Sequence, residues 1–144
     1  MSTNKKISIF LVDDDVMYLK LLEMELSEKT DYVISTFATG ERCLENLSEK
    51  PDIVVLDYYL NGIEKKALNG LETLSMIKSA HPEIPVIMLS SQDKIEVAVN
   101  CMVLQAFEYI VKSETAFARL HNAIITVLHY KKMEKTLSWY MEKL

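Results

Sequence analysis

Short, unbroken apolar runs alternate along this chain with longer stretches whose apolar residues recur every three or four positions, and the alternation predicts strands and helices in turn. The central run is Asp52-Ile53-Val54-Val55-Leu56-Asp57. It is β-branched without polar alternation, so it reads as a parallel strand covered on both faces. Residues 7–12 form an earlier strand, followed by a helix with Val16, Leu19, Leu22 and Leu26 on one face and Asp15 at its N-cap. A second strand covers 32–37, and Thr39 caps a short helix through Cys43, Leu44 and Leu47 that Pro51 closes off. Beyond Asp57 an irregular segment, 58–69, leads to a helix over 71–80. That helix turns Leu71, Leu74 and Ile77 toward the sheet and stops at His81-Pro82. Residues 85–89 and 107–111 are the fourth and fifth strands, with a helix over 94–103 between them. Five β-α units in succession call for an α/β fold: one doubly wound, five-stranded parallel sheet with right-handed crossovers and helices on both faces.

The last helix begins near Glu114, and a compact domain would end it around Leu128. The sequence instead runs on to Leu144 without glycine or proline. Phe117, Leu120, Ile124, Val127, Tyr130, Met133, Leu137, Tyr140 and Leu144 recur at three- and four-residue steps. This predicts a domain over 1–128 and a helical extension over 129–144 whose apolar seam wants a second copy or another protein. A helix folded back on its own domain is the alternative.

Composition narrows the partners. A length of 144 residues fits one domain, and a net charge of -5 with no run of Lys/Arg argues against direct contact with nucleic acid or an anionic membrane. Residues 1–6 are polar and no apolar run reaches the length of a membrane span, so a soluble, cytoplasmic protein is expected. Cys43 and Cys101 are far apart and read as small core residues of a reducing compartment. His81, His121 and His129 have no metal-ligand spacing.

Four of the five strands end in chemistry: Asp13 and Asp14 after the first, Asp57 after the third, Ser90 after the fourth and Lys112 after the fifth. In a flavodoxin-like strand order of 2-1-3-4-5 these strands are neighbours, and their ends share one crevice. Crowded carboxylates raise one another's pKa, which a hard divalent cation such as Mg²⁺ relieves. With the Lys112 ammonium and the Ser90 hydroxyl added, the set suits a phosphoryl group on Asp57, since a carboxylate is a competent nucleophile toward phosphorus.

Val12-Asp13-Asp14, Leu56-Asp57, Leu89-Ser90-Ser91 and Tyr109-Ile110-Val111-Lys112 resemble the motifs of the response-regulator receiver domain of bacterial two-component signalling, over residues 6–128. The resemblance implies that Asp57 accepts a phosphoryl group from a histidine kinase or phosphotransfer protein, with no enzymatic activity beyond its own phosphorylation and dephosphorylation. It implies that Asp13, Asp14, Asp57 and the backbone carbonyl of Tyr59 hold Mg²⁺. Lys112 would pair with phosphoryl oxygens, Ser90 would turn its hydroxyl onto one of them, and Tyr109 would be an aromatic switch moving with Ser90. As a plain residue, Tyr109 reads equally as a tyrosine packed at the edge of a core strand. By the same resemblance, Tyr59 and Gln92 occupy positions that in the family flank the path of attacking water. Output would pass through protein contacts, to a downstream partner or by self-association, because no DNA-binding module follows unless the chain is part of something longer.

Departures from the family pattern mark where this chain is individual. Asn61 replaces a proline and Gly70 arrives about five residues late, so residues 63–68 are expected to form an extra turn or small lid beside the site, or an inert insertion. Gln105 replaces a glycine. Ser113 replaces a proline that follows a cis bond, which predicts a trans Lys112–Ser113 peptide. Two other functions compete. Asp13-Asp14-Asp15 also fits a haloacid-dehalogenase-type phosphohydrolase with Asp13 as nucleophile, although no aspartate follows Lys112. The other is a receiver-like scaffold that binds without being phosphorylated.

Overall fold

In the computed structural model, which describes residues 5–63 and 65–144, the chain forms β1 (Ser8–Val12), α1 (Val16–Lys29), β2 (Val33–Phe37), α2 (Gly40–Glu45), β3 (Ile53–Leu56), α3 (Gly70–Ala80), β4 (Val86–Ser90), α4 (Ile95–Val103), β5 (Glu108–Val111) and α5 (Ala116–Lys143). The strands make one sheet in the order β2-β1-β3-β4-β5, every neighbouring pair parallel. This is the doubly wound α/β architecture that the apolar pattern predicts.

Alternate side chains of each strand point to opposite faces, and each face has its own core. Ile9, Leu11, Ile53, Val55, Ile87, Leu89 and Ile110 meet α1 and α5. Phe10, Val12, Val54, Leu56, Val86 and Met88 meet α2, α3 and α4. Both cysteines belong to this second core as buried, free thiols. Burial pushes Cys43 up to about 12 and Cys101 to about 11, so neither is a thiolate at neutral pH.

Local chemistry sets the helix ends. Asp15 caps α1, its carboxylate accepting from the Met17 and Tyr18 amides. Asn69 and Glu72 form a reciprocal capping box at the start of α3, and the Thr39 hydroxyl accepts from the Arg42 amide at the start of α2. Among the helix positions expected to face inward, Val16 is instead 54% exposed, because it sits in the first turn ahead of the sheet; Leu19, Leu22 and Leu26 are buried. Leu47 lies beyond α2, in a separate 3₁₀ turn over Leu47–Glu49. Gln105 keeps the left-handed backbone of the glycine it replaces, with φ 71°. The Lys112–Ser113 bond is trans.

α5 is one uninterrupted helix that starts at Ala116 rather than at Glu114. Leu120, Ile124 and Val127 are buried against the sheet, whereas Tyr130, Met133, Leu137 and Tyr140 are all more than half exposed. The helix does not fold back; it projects past the domain. No helix among the described residues is long and apolar enough to cross a membrane.

Candidate functional site

β1 and β3 pair with Val12 opposite Leu56, so the chain leaves the sheet at Asp13 and Asp57 side by side. Backbone bonds fix both exits: the Asp57 amide donates to the Val12 carbonyl at 2.9 Å and the Asp13 amide to the Phe37 carbonyl at 3.1 Å. Across the sheet the Lys112 amide donates to the Ser90 carbonyl at 2.8 Å, which delivers the lysine to the same rim. A close approach then shapes the floor. The Gly70 amide donates to the Tyr58 carbonyl at 2.7 Å, and a β-carbon at Gly70 would collide with the backbone of Asp57 and Tyr58.

Asp13, Asp14 and Asp57 each present a carboxylate oxygen, and the three lie within 4.8 Å of one another. Asp13 and Asp57 are buried. Both oxygens of Asp13 are engaged: Oδ1 accepts from the Asp15 amide at 2.9 Å and Oδ2 from Lys112 Nζ at 2.8 Å. Asp57 is bound differently. Lys112 Nζ stands 3.6 Å from its Oδ2, while its Oδ1 is buried with no hydrogen-bond partner. Burial, followed by the neighbouring Asp13 charge, pushes the Asp57 carboxyl up to about 7 against the opposing pull of Lys112. For Lys112, burial alone would favour the neutral amine, but the hydrogen bond to Asp13 and the charges of Asp57 and Asp13 hold its pKa above the usual lysine value.

An orphaned, buried carboxylate oxygen beside two further carboxylates is a site short of positive charge. The donors are hard oxygens, the kind that Mg²⁺ prefers, so the residues present fit a divalent cation of that class. The same geometry disfavours Asp13 as a nucleophile, because a lysine and a backbone amide occupy both of its oxygens.

Gln92 ties the remaining polar groups together. Its amide donates to Ser90 Oγ at 3.2 Å, its carbonyl accepts from the Tyr109 hydroxyl at 2.6 Å, and its Nε2 donates to the Tyr59 hydroxyl at 2.5 Å. Ser90 is fully buried. Tyr109 is half-buried against the second core, and burial raises its phenol pKa. Tyr109 thus packs on the core and also reaches the loop after β4.

The long loop after β3 contains a turn at Lys65 and Lys66 and is pinned at two points. The Gly62 amide donates to Asp14 Oδ2 at 3.1 Å, and the Leu68 amide donates to Glu41 Oε2 at 3.0 Å. Glu64, within the expected extra turn, lies outside the described residues. Two contacts have no counterpart in the motif reading. One is the Gly62 amide on Asp14; the other is Tyr18, whose ring lies 4.2 Å from Lys112 Nζ. Tyr18 has no motif of its own in the sequence, being an aromatic three residues after the acidic triplet, and Gly62 belongs to a loop whose path no periodicity defines.

Comparison with known proteins bears on the family and the fold. The sequence profile of the response regulator receiver domain matches residues 9–125. A protein-glutamate methylesterase/protein-glutamine glutaminase of Clostridium acetobutylicum is 37% identical over 117 residues, which cover 78% of this chain and 32% of that protein. A putative NtrX-like response regulator of Rickettsia conorii is 35% identical over 108 residues, covering 74% of this chain and 22% of its own length. Among solved structures, NtrX from Brucella abortus superposes with a TM-score of 0.82 at 30% identity, over 97% of this chain and 31% of that one. This chain therefore spans about a third or less of these longer relatives.

Proposed function

Since the chain belongs to the response regulator receiver family, the signalling domains of two-component systems, we propose that Asp57 accepts a phosphoryl group from a histidine kinase or phosphotransfer protein and that this switches partner binding. The observation that carries the reading is Asp57 Oδ1: buried, without a hydrogen-bond partner, and beside both an acidic pair and an ammonium group. In the transfer an Asp57 oxygen attacks phosphorus as the phosphorus–nitrogen bond of the donor breaks, its electron pair returning to the donor imidazole. Asp13, Asp14 and Asp57, with the Tyr59 carbonyl, would hold Mg²⁺. The chemistry supplied by the bound ion is neutralisation of the charge that the phosphoryl oxygens add.

Lys112 pairs with a phosphoryl oxygen, for which it is already placed 3.6 Å from Asp57. The Ser90 hydroxyl accepts from the Gln92 amide and keeps its own proton to donate to another phosphoryl oxygen. A shift of Ser90 is passed to Tyr109 through Gln92, to which both are bonded. Tyr59 and Gln92, joined to each other, screen the approach of hydrolytic water. To move such a switch from 1:99 to 99:1 the modification must favour one state by about 5.5 kcal/mol. The domain assignment that goes with this is a receiver over 1–128 and an output extension over 129–144, acting in the cytoplasm through protein contacts.

Incubation with Mg²⁺ and acetyl phosphate followed by intact mass tests the chemistry. One phosphoryl group should be gained by the wild type and none by Asp57→Asn. No gain in the wild type, or an undiminished gain in the variant, would defeat the assignment.

A further inference from the structure

We propose that Tyr18 is a positioning residue for Lys112: the face of its ring seats the ammonium group within reach of Asp57 and so sets how fast a phosphoryl group is taken up. The inference rests on the reading that Asp57 is phosphorylated and that Lys112 pairs with the incoming oxygens. Lysine needs such a seat, because its charge rides on a flexible four-carbon stem that one hydrogen bond does not orient. That bond runs to Asp13 Oδ2 at 2.8 Å, whereas Asp57 Oδ2 stands at 3.6 Å, beyond hydrogen-bond distance. With the Asp13 bond alone, the ammonium would be free to turn from Asp57. It also meets the Tyr18 ring, with Nζ over the face and 4.2 Å from the centroid. At that distance the negative face of an aromatic ring attracts a cation.

The ring is itself held. The Tyr18 amide donates to Asp15 Oδ1 at 3.2 Å, and the Asp15 amide donates to Asp13 Oδ1 at 2.9 Å. Lys112 closes the circuit, from the Tyr18 ring back to the other oxygen of Asp13, so the lysine and its seat share one reference point. Phe117, in the first turn of α5, packs against the Tyr18 ring with centroids 6.0 Å apart, and both rings pack on the first core. The chemistry of the seat matters as much as its position. A carboxylate here would take up one of the three lysine N–H donors and add a further negative charge to a rim that already holds Asp13, Asp14 and Asp57. A neutral ring face steadies the ammonium and leaves its charge to the phosphoryl oxygens.

The rate is read by intact mass over time, with Mg²⁺ and subsaturating acetyl phosphate. Tyr18→Leu should slow phosphoryl gain by about 3- to 30-fold, the range that a cation–ring contact spans from exposed to desolvated sites. Tyr18→Phe, which keeps the ring, should restore the rate. Phenylalanine fluorinated once and then three times at position 18 keeps the size of the ring while draining its negative face, so the rate should fall stepwise toward the leucine value. Placement is read separately, without phosphodonor, from the ε-methylene NMR signal of Lys112, identified by its absence in Lys112→Arg. Ring current should hold that signal upfield of the solvated lysines in the wild type and in Tyr18→Phe, and Tyr18→Leu should return it to them. A wild-type signal among the solvated lysines, or one rate for the leucine, phenylalanine and fluorinated forms, would overturn the proposal. A wild type that gains no phosphoryl group defeats the reading of Asp57 instead, and with it the kinetic role of Tyr18, while a shifted lysine signal still upholds the seat. Should Tyr18→Leu fail to fold, the fluorinated series decides.

Discussion

Asp57, 4% exposed and with one oxygen left without a partner, destabilises the fold whenever it is ionised. Its pKa rises from an ordinary 3.8 to about 7, so the folded state holds this proton more tightly than the unfolded chain does. The stabilisation linked to that proton is complete below about 4 and is lost as pH climbs through 7. Asp57→Asn removes the charge while keeping the shape. In urea unfolding it should gain about 1–3 kcal/mol over the wild type at pH 8, and the gap should narrow steadily below pH 7 and close toward pH 4. A gap that does not change with pH would show that the carboxyl is not strained by its surroundings. Gln105 carries a separate local strain, its φ of 71° costing about 1–2 kcal/mol for a residue with a β-carbon. Gln105→Gly should therefore raise the urea midpoint, by about 1 kcal/mol in stability after the added chain entropy of glycine. Both sites were legible as residues: the strand-end position flagged Asp57, and the missing glycine flagged the turn. What the sequence could not carry is which Asp57 oxygen stays unpaired, because that depends on Lys112 choosing Asp13 at 2.8 Å over Asp57 at 3.6 Å.

At the scale of elements, the strands were the legible part, since a buried parallel strand writes itself as an unbroken apolar run. Helix faces were less so: Val16 matches the spacing of the α1 stripe yet points to solvent, because periodicity does not say where along a helix the sheet begins. The loop after β3 was the least legible, being held by single backbone amides at Gly62 and Leu68 rather than by any repeating pattern. Its far end is nonetheless rigid, since α3 starts where Gly70 lies against the Asp57 carbonyl. Gly70→Ala should cost about 1–3 kcal/mol in thermal or urea unfolding and lower the rate of phosphoryl gain, because the strain falls on the backbone of Asp57 itself. The two halves of α5 should respond differently to the same change. Leu120→Ala opens a cavity in the core and should cost about 2–5 kcal/mol. Leu137→Ala should leave the unfolding free energy of the domain within about 0.5 kcal/mol, since Leu137 is 61% exposed.

Across the whole molecule, the parallel sheet gathers at one rim three carboxylates that repel one another and one lysine that cannot neutralise them all. If this rim takes up Mg²⁺ as proposed, the folded state should gain stability from the cation, by an amount set by how much more tightly the folded site binds it than the unfolded chain. At one hundred times the dissociation constant that gain is about 2.7 kcal/mol, readable as a rise in melting temperature with Mg²⁺. The same carboxylate that the cation needs is held by a proton below pH 7. On the proposed binding mode proton and cation should compete for Asp57, and each pH unit below 7 should weaken apparent Mg²⁺ affinity by about tenfold, or 1.4 kcal/mol. Between pH 8 and pH 6 the Mg²⁺-induced rise in melting temperature, measured at one fixed subsaturating concentration, should shrink accordingly. In Asp57→Asn, which has no proton to lose at this position, whatever weak Mg²⁺ response remains should be nearly flat over the same interval. A wild-type response as flat as that of the variant would place the cation elsewhere, on Asp13 and Asp14 alone, and would remove the coupling between charge at the rim and the stability of the sheet that carries it.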